Sequence, residues 1–473
     1  VGFSALLTTS LGFHDFQEQI PNGNNVPHPC KANYRWPGVG HENPLGGGDR
    51  NTFGLDFQKA GYKWTPALCK SDSDGDGKTN GEELGDPNCA WKFGTLPPRT
   101  VNISHPGVCD PYDSQLCKGK NTFLSCEMER FEACSVLNNS DVHTLELRFN
   151  QTKVPPSETN YYCMTFDLPS DQDYHIIANE PIIDKVNILH HMVMYGCENA
   201  EDAYMPVPQA CGMSAQGKCG SMICGWTVGS SGDCFGDKVG FRFGKTSYKR
   251  VRLEIHYNNP FLVDNYIDSS GLRLYYRPAK TGVQDLAIFI TGQLYLEIPP
   301  GQSTVEHVGL CPSECTRDVI AQPVKVISAT NHMHYMGKTM KIEVFRSGTN
   351  IKELTNDQHY SYDSPVDHTH EPPFDLLPGD EIRTTCVYNS LSTDRYVYYG
   401  EGTSDEMCYG FLTYYPKDAV KRTMCVSHGS MSMCDIYSGT PVEGCDWVAF
   451  TNFTANAKIV NDVTKNCNLN GFC

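Results

Sequence analysis

The sequence predicts a mostly β chain: a small disulfide-stapled N-terminal domain followed by two antiparallel β-sandwiches. Three observations predict it. Residues 123–473 alternate short apolar runs with turn signals, and convincing amphipathic helices are scarce. The chain has 473 residues, too many for one core, so two or three domains are expected. It carries 22 cysteines, an even number at spacings mostly unlike zinc motifs, and disulfides formed in an oxidising compartment are the simplest account.

In chain order, residues 1–12 (VGFSALLTTSLG) are apolar and small and read as a signal-peptide remnant. Residues 13–110 are rich in Gly and Asn, hold an acidic loop, and form the first domain. Prolines 97, 98, 106 and 111 mark an approach to a connector at 111–122. The sandwiches follow at 123–300 and 301–450, and 451–473 is a Cys-containing tail. The best strands are 251–257, 271–276, 324–329 and 339–345. Sequons at Asn102, Asn138, Asn150 and Asn452 predict glycosylation and agree with a secreted, extracellular protein. Basic residues number 38 and acidic residues 55, a net charge of −17. With no Lys/Arg run, nucleic acid and anionic membrane surfaces are poor partners. No uninterrupted apolar stretch reaches the roughly 18 residues a transmembrane helix needs.

Two clusters carry chemistry. The loop Asp72-Ser-Asp74-Gly-Asp76-Gly77-Lys78-Thr-Asn80-Gly-Glu-Glu83 fits a calcium loop. Asp72, Asp74 and Asp76 supply oxygens, Gly77 the sharp turn, Lys78 a backbone carbonyl, Asn80 a ninth-position ligand and Glu83 a bidentate carboxylate. The bland alternative is a solvated acidic turn. The flanks do not read as a helix pair, so a structural clip is expected rather than a switch. The second cluster is dispersed. His190 and His191 are consecutive in an apolar run. His256 shares a strand face with Arg252 and Glu254, opposite Val251, Leu253, Ile255 and Tyr257. His332 and His334, two apart, project from one face, and Met407 follows in Asp405-Glu-Met-Cys408. Singly, each could be core packing. His₃ with zinc is the competing metal reading at the first set.

The stretches IPNG (20–23), WPGVGH (36–41), NTFGLDF (51–57), GYKWTPALC (61–69) and SDSDGDGKTNGEELGDP (71–87) resemble the temptin family of secreted pheromone-complex proteins. The resemblance covers about 14–110 and implies Cys30–Cys69 and Cys89–Cys109 pairing. It gives no enzymatic role and leaves room for a secreted protein partner.

The stretches HHMVMYGC (190–197), RLEIHYNNP (252–260), HMHYMGK (332–338), PGDEIRTTCVYN (378–389) and DEMC (405–408), in that order, resemble the copper type II, ascorbate-dependent monooxygenases. This family includes the dopamine β-monooxygenase and peptidylglycine α-hydroxylating branches. The resemblance implies two jelly-roll-like copper domains. It places an electron-transfer copper on His190, His191 and His256, and an oxygen-activating, catalytic copper on His332, His334 and Met407. The soft Met407 thioether suits Cu(I), the state that meets O₂. The resemblance also implies disulfides Cys163–Cys211, Cys197–Cys224, Cys311–Cys425 and Cys386–Cys408, with Cys315 reaching toward the C-terminal region. Cys117, Cys126, Cys134, Cys219, Cys234 and the tail cysteines receive no partner.

Two positions depart from the peptidylglycine pattern. Thr330 stands where that branch has a carboxylate-clamping Arg, and Tyr409 and Phe411 replace an Asn and a Tyr. The expected function is therefore a secreted copper-, ascorbate- and O₂-dependent hydroxylase of a small substrate, an aromatic amine or relative. The alternative class is a non-catalytic, metal-binding matrix, egg-coat or pheromone-scaffold protein.

Overall fold

A computed structural model describes residues 13–432 except 31–34, 45–48, 125, 127–130, 132–133, 186–187, 199–203, 213–218, 228–229, 260–261, 359, 361, 363–364, 403 and 430. The expected signal remnant, Asn452 and the tail lie outside the described residues. The chain divides into two compact units, 1–128 and 129–473. No described helix is long and apolar enough to cross a membrane.

The first unit is built from short helices. Asn51 caps Thr52–Lys59, Thr65 caps Pro66–Lys70 with proline at the first turn, and Thr79 and Glu82 form a capping box on Asn80–Glu83. Trp36, Phe53, Phe57, Leu68, Leu84 and Val108 make its core. Gly54 is needed where a Cβ would fall 1.9 Å from the Gly40 carbonyl oxygen.

Here the expected pairing is corrected. Cys30 bonds Cys126, not Cys69; Cys69 bonds Cys89; and Cys109, expected with Cys89, bonds Cys117. The cause is local. Cys69 packs over Gly81 and its sulfur faces the Asp86 carbonyl at 3.4 Å. The turn that follows brings Cys89 back through its amide on the same carbonyl, 3.0 Å away. The Cys30–Cys126 and Cys109–Cys117 bonds also draw the expected connector 111–122 into this unit.

The second unit is two antiparallel sandwiches. In the first, a five-stranded sheet has at its centre Arg250–Asn258, between Thr159–Asp167 and Leu189–Cys197, with Ser221–Thr227 beyond. Val251, Leu253, Ile255 and Tyr257 enter the core together with Met192, Met194, Leu272 and Phe243. The second sandwich has a six-stranded sheet containing Asp367–Leu376, Val324–His332, Tyr409–Tyr415 and Ala287–Gln293 in that order. Its other sheet contains Gly337–Arg346. Val326, Ala329, Ile342, Val344 and Leu412 fill the core between. Ala287–Gln293 pairs with Tyr409–Tyr415, so this sandwich starts before the expected residue 301. All four expected strands lie inside observed ones.

Among the described residues, the disulfides Cys134–Cys234, Cys163–Cys211, Cys197–Cys219, Cys311–Cys425 and Cys386–Cys408 brace this unit. Cys315 is also disulfide-bonded. The expected Cys197–Cys224 bond is corrected. Cys224 pairs in register with Met194 and its side chain enters the core as a buried free thiol, whereas Cys197 stands at the strand end beside Cys219.

Candidate metal centres

Two adjacent strand residues normally point to opposite faces of a sheet. His190 and His191 do not, because a β-bulge lies between them and the central strand. His256 faces His191 and Tyr257 faces Leu189, so His190 is the extra residue. The bulge turns both imidazoles toward His256. The His190 and His191 Nδ1 atoms are 3.1 Å apart, and those of His191 and His256 are 3.4 Å apart. One nitrogen from each of the three buried rings lies within 4.8 Å of the others. Such edges suit nitrogens roughly 2.0–2.1 Å from one divalent ion. Burial lowers the His190 pKa to about 3 and holds those of His191 and His256 well below the usual value. The rings are thus neutral, as ligands must be. Tyr161 stacks on His256, with centroids 4.5 Å apart and planes 11° apart.

The second group forms where strands end. His332 closes Val324–His332, and His334 sits two residues on in the loop, its ring nearly perpendicular to that of His332 at 5.4 Å. The intervening Met333 is buried in a separate cluster, so the two histidines share a side, as the spacing predicts. Met407 is fully buried just before Tyr409–Tyr415. Glu406 joins the pieces: its Oε2 accepts the amides of His334 (2.8 Å) and Met407 (3.3 Å), and its Oε1 that of Met336 (2.6 Å). Burial raises the Glu406 pKa to about 8 despite these three donors. Tyr388 donates to the Met407 carbonyl at 2.7 Å, and the Cys386–Cys408 bond lies alongside. His334 Nδ1 faces the Asp405 carbonyl at 3.0 Å. Burial lowers the His334 pKa to about 4. Glu406 thus holds the Met407 backbone beside that of His334, and the His332 and His334 rings beside each other are the part of this group whose side chains meet.

The two groups are neighbours. The His191 and His332 rings are 6.2 Å apart. Tyr362, from the second sandwich, stacks on His190 at 3.9 Å and lies 5.1 Å from His334. Sequence reasoning missed Tyr362, Tyr161 and the role of Glu406. Only Glu406 had a signal, its place in the motif beside Met407. Around the second group, Phe411 lies 6.2 Å from His332 and Tyr409 shares a 2.7 Å hydroxyl contact with Tyr399. Thr330 donates to Asp367 at 2.8 Å.

In the first unit, Asp72, Asp74 and Asp76 bring their oxygens within 4.8 Å of one another. Asp72 Oδ1 accepts the Gly75 amide and Asp72 Oδ2 that of Gly77, at 2.7 and 2.9 Å. Asp74 Oδ2 and Glu83 Oε2 are buried with no hydrogen-bond partner. Burial, then like charge from neighbouring acids, raises the Glu83 pKa to about 9 and the Asp74 pKa to about 7. Lys78 Nζ stands 3.6 Å from both Asp76 and Asp110. Asn80 is turned away: its side chain bonds Leu68 and Ser73.

Comparison with known proteins gives three family matches. Residues 10–108 match Temptin C-terminal. Residues 145–264 and 280–438 match the N-terminal and C-terminal domains of copper type II ascorbate-dependent monooxygenase. Curated relatives include tyramine beta-hydroxylase of Caenorhabditis briggsae, 28% identical over 66% of this chain and 57% of that protein. Human dopamine beta-hydroxylase is 29% identical over 59% and 47%. DBH-like monooxygenase protein 1 of Gallus gallus is 28% identical over 60% and 48%. The chain thus spans about half the length of these relatives. Among solved structures, the bacteriophage PM2 capsid protein P2 aligns at a TM-score of 0.28 and 9% identity, too low to carry an argument. Taken with the ordered motifs and the two-sandwich fold, the paired domain matches make this chain a member of the copper type II ascorbate-dependent monooxygenase family, preceded by a temptin domain.

Proposed function

We propose that the chain is a secreted, ascorbate-dependent monooxygenase that uses O₂ to hydroxylate a C–H bond of a small aromatic amine or a related compound. The observation that carries this is the buried His190, His191 and His256 cluster with His332 and His334 beside it, the latter joined to Met407 through Glu406. His190, His191 and His256 would hold an electron-transfer copper, and His332, His334 and Met407 an oxygen-activating one. When bound, the coppers would supply one-electron redox chemistry and O₂ activation. The chain's own part is placement. Glu406 and the Cys386–Cys408 bond fix His334 and Met407 relative to each other. Tyr362 and Tyr161 cover the first set and exclude water from it. Phe411 and Tyr409 offer an aromatic wall to the substrate. Relatives named for tyramine and dopamine hydroxylation support this class of substrate. The exposed Asn102, Asn138 and Asn150 fit glycosylation on a secretory route. Ascorbate-dependent oxygen uptake with a panel of phenylethylamines tests the reading. Copper uptake without oxygen consumption on any of them would favour the non-catalytic scaffold.

For the acidic loop we propose a calcium ion held by Asp72, Asp74, Asp76, the Lys78 carbonyl and Glu83. The buried, unpartnered oxygens of Asp74 and Glu83 support it, since burying a carboxylate without a partner is costly. Asn80 braces the loop instead of ligating. Calorimetric titration with CaCl₂ tests this, and absence of binding by the wild-type chain overturns it.

A further inference from the structure

The strand that carries His332 leaves its ladder before it has placed His334. Its register with Tyr409–Tyr415 ends at the pair His332–Tyr409, and Met333 lies beyond that rung. A backbone past its last rung can turn. A turn at Met333 would carry His334 away from the side that His332 faces.

One side chain stands in for a strand at this point. The Tyr360 hydroxyl accepts the Met333 amide at 2.9 Å and donates to the Met333 carbonyl at 2.7 Å. A neighbour in an antiparallel ladder offers the same pair of bonds to a single residue. A phenol can offer both, because its oxygen accepts while its hydrogen is donated. The Met333 side chain is buried in one cluster with Tyr360, Met340 and Tyr388. The alternation of the strand thus runs on one residue past its end, and His332 and His334 flank the gripped peptide on the opposite side.

The grip is itself built in. Tyr360 is buried, and its amide donates to the Lys338 carbonyl at 3.0 Å. Its ring lies against Gly337, where a Cβ would come 2.7 Å from the Tyr360 ring and 2.9 Å from Met333 Cβ. Glycine at 337 therefore makes room for the ring that holds Met333. Glu406 takes over from there, accepting the amides of His334 and Met336.

We propose that Tyr360 is a positioning residue for the second set: its hydroxyl fixes the Met333 peptide and thereby the disposition of the His332 and His334 imidazoles on either side. This rests on the reading of His332 and His334 as copper ligands, and it names what keeps them paired. Tyr360 acts through the Met333 backbone, so its loss changes how the two rings are presented and not which atoms they offer.

The test measures Cu(I) affinity of the full chain by competition with a chromogenic chelator. His256→Ala isolates the second set, and His334→Ala isolates the first. In these backgrounds Tyr360→Phe keeps the ring and removes only the oxygen. It should lower the Cu(I) affinity of the second set at least about tenfold and leave that of the first within about twofold. Gly337→Ala keeps the hydroxyl but displaces it, and should weaken the second set in the same direction. Ile342→Val, a loss of packing in the core of the same sandwich, should leave both affinities unchanged. Unchanged affinity of the second set in Tyr360→Phe or in Gly337→Ala, or equal weakening of both sets, would overturn the proposal and leave the ligand reading standing. No Cu(I) bound by the second set of the His256→Ala chain would overturn the proposal together with the reading of His332 and His334 as ligands.

Discussion

His190, His191 and His256 sit on two hydrogen-bonded strands in the middle of a sheet, whereas His332, His334 and Met407 sit where strands end and loops begin. In the first set the backbone ladder does the positioning, with one bulge aligning the two adjacent rings. In the second, no ladder spans the three residues. A buried carboxylate, a tyrosine hydroxyl and a disulfide take its place. The difference teaches where each set is vulnerable. The first depends on register, and the second on a few side-chain bonds that one substitution can remove.

The largest effects should come from the donors themselves. Met407→Ile keeps apolar volume and removes only the sulfur, so folding should hold while ascorbate-dependent oxygen uptake falls at least about 100-fold. Wild-type uptake would make Met407 ordinary core packing. Next comes Glu406→Gln, which sharpens the contrast because this carboxylate accepts three backbone amides at the second set, whereas a strand ladder positions the first. An amide nitrogen would face backbone N–H groups, leaving buried donors unsatisfied at a cost of about 1–3 kcal/mol each. Urea unfolding should show that loss. Copper should become weaker at the second set, and the first should be untouched. Equal weakening of both sets would mean that Glu406 supports the interface generally.

Much of this was legible in the sequence. The alternation through 251–257 and 324–329 gave the strands, and the i, i+2 spacing gave the shared side of His332 and His334. The bulge was not legible, because it is a property of two strands: nothing in His190-His191 alone says which residue lacks a partner. Tyr362 lies between strands, outside any period, and reaches His190 only through packing of the sandwiches. Cysteine pairing failed for a related reason. Cys219 and Cys224 are both near Cys197 in sequence, and only the register with Met194 sends Cys224 inward.

The acidic loop offers a smaller effect, with a sign. Glu83 has an ordinary value of 4.5, raised in the folded chain to about 9. A carboxyl raised on folding favours the folded state when protonated, so its contribution is full below about pH 4.5 and is lost as pH rises toward 9. With chelator, proteolysis within residues 60–95 should therefore quicken from pH 5 to pH 9. Added calcium should suppress that rise, by mass action of roughly 2.7 kcal/mol at a hundredfold excess over Kd. Digestion indifferent to pH and calcium would leave the loop a solvated turn. The smallest expected change is Cys224→Ser. A hydroxyl in the first core should cost about 1–3 kcal/mol in unfolding free energy without altering the Cys197–Cys219 bond in a disulfide map.

The most direct test counts copper in the reconstituted wild-type chain and in His256→Ala by elemental analysis. Two separate donor sets predict two coppers per wild-type chain and one in His256→Ala, the remaining ion showing the sulfur contact of Met407 in its X-ray absorption spectrum. One copper at saturation in the wild type, only zinc, or loss of both ions from His256→Ala would contradict the account.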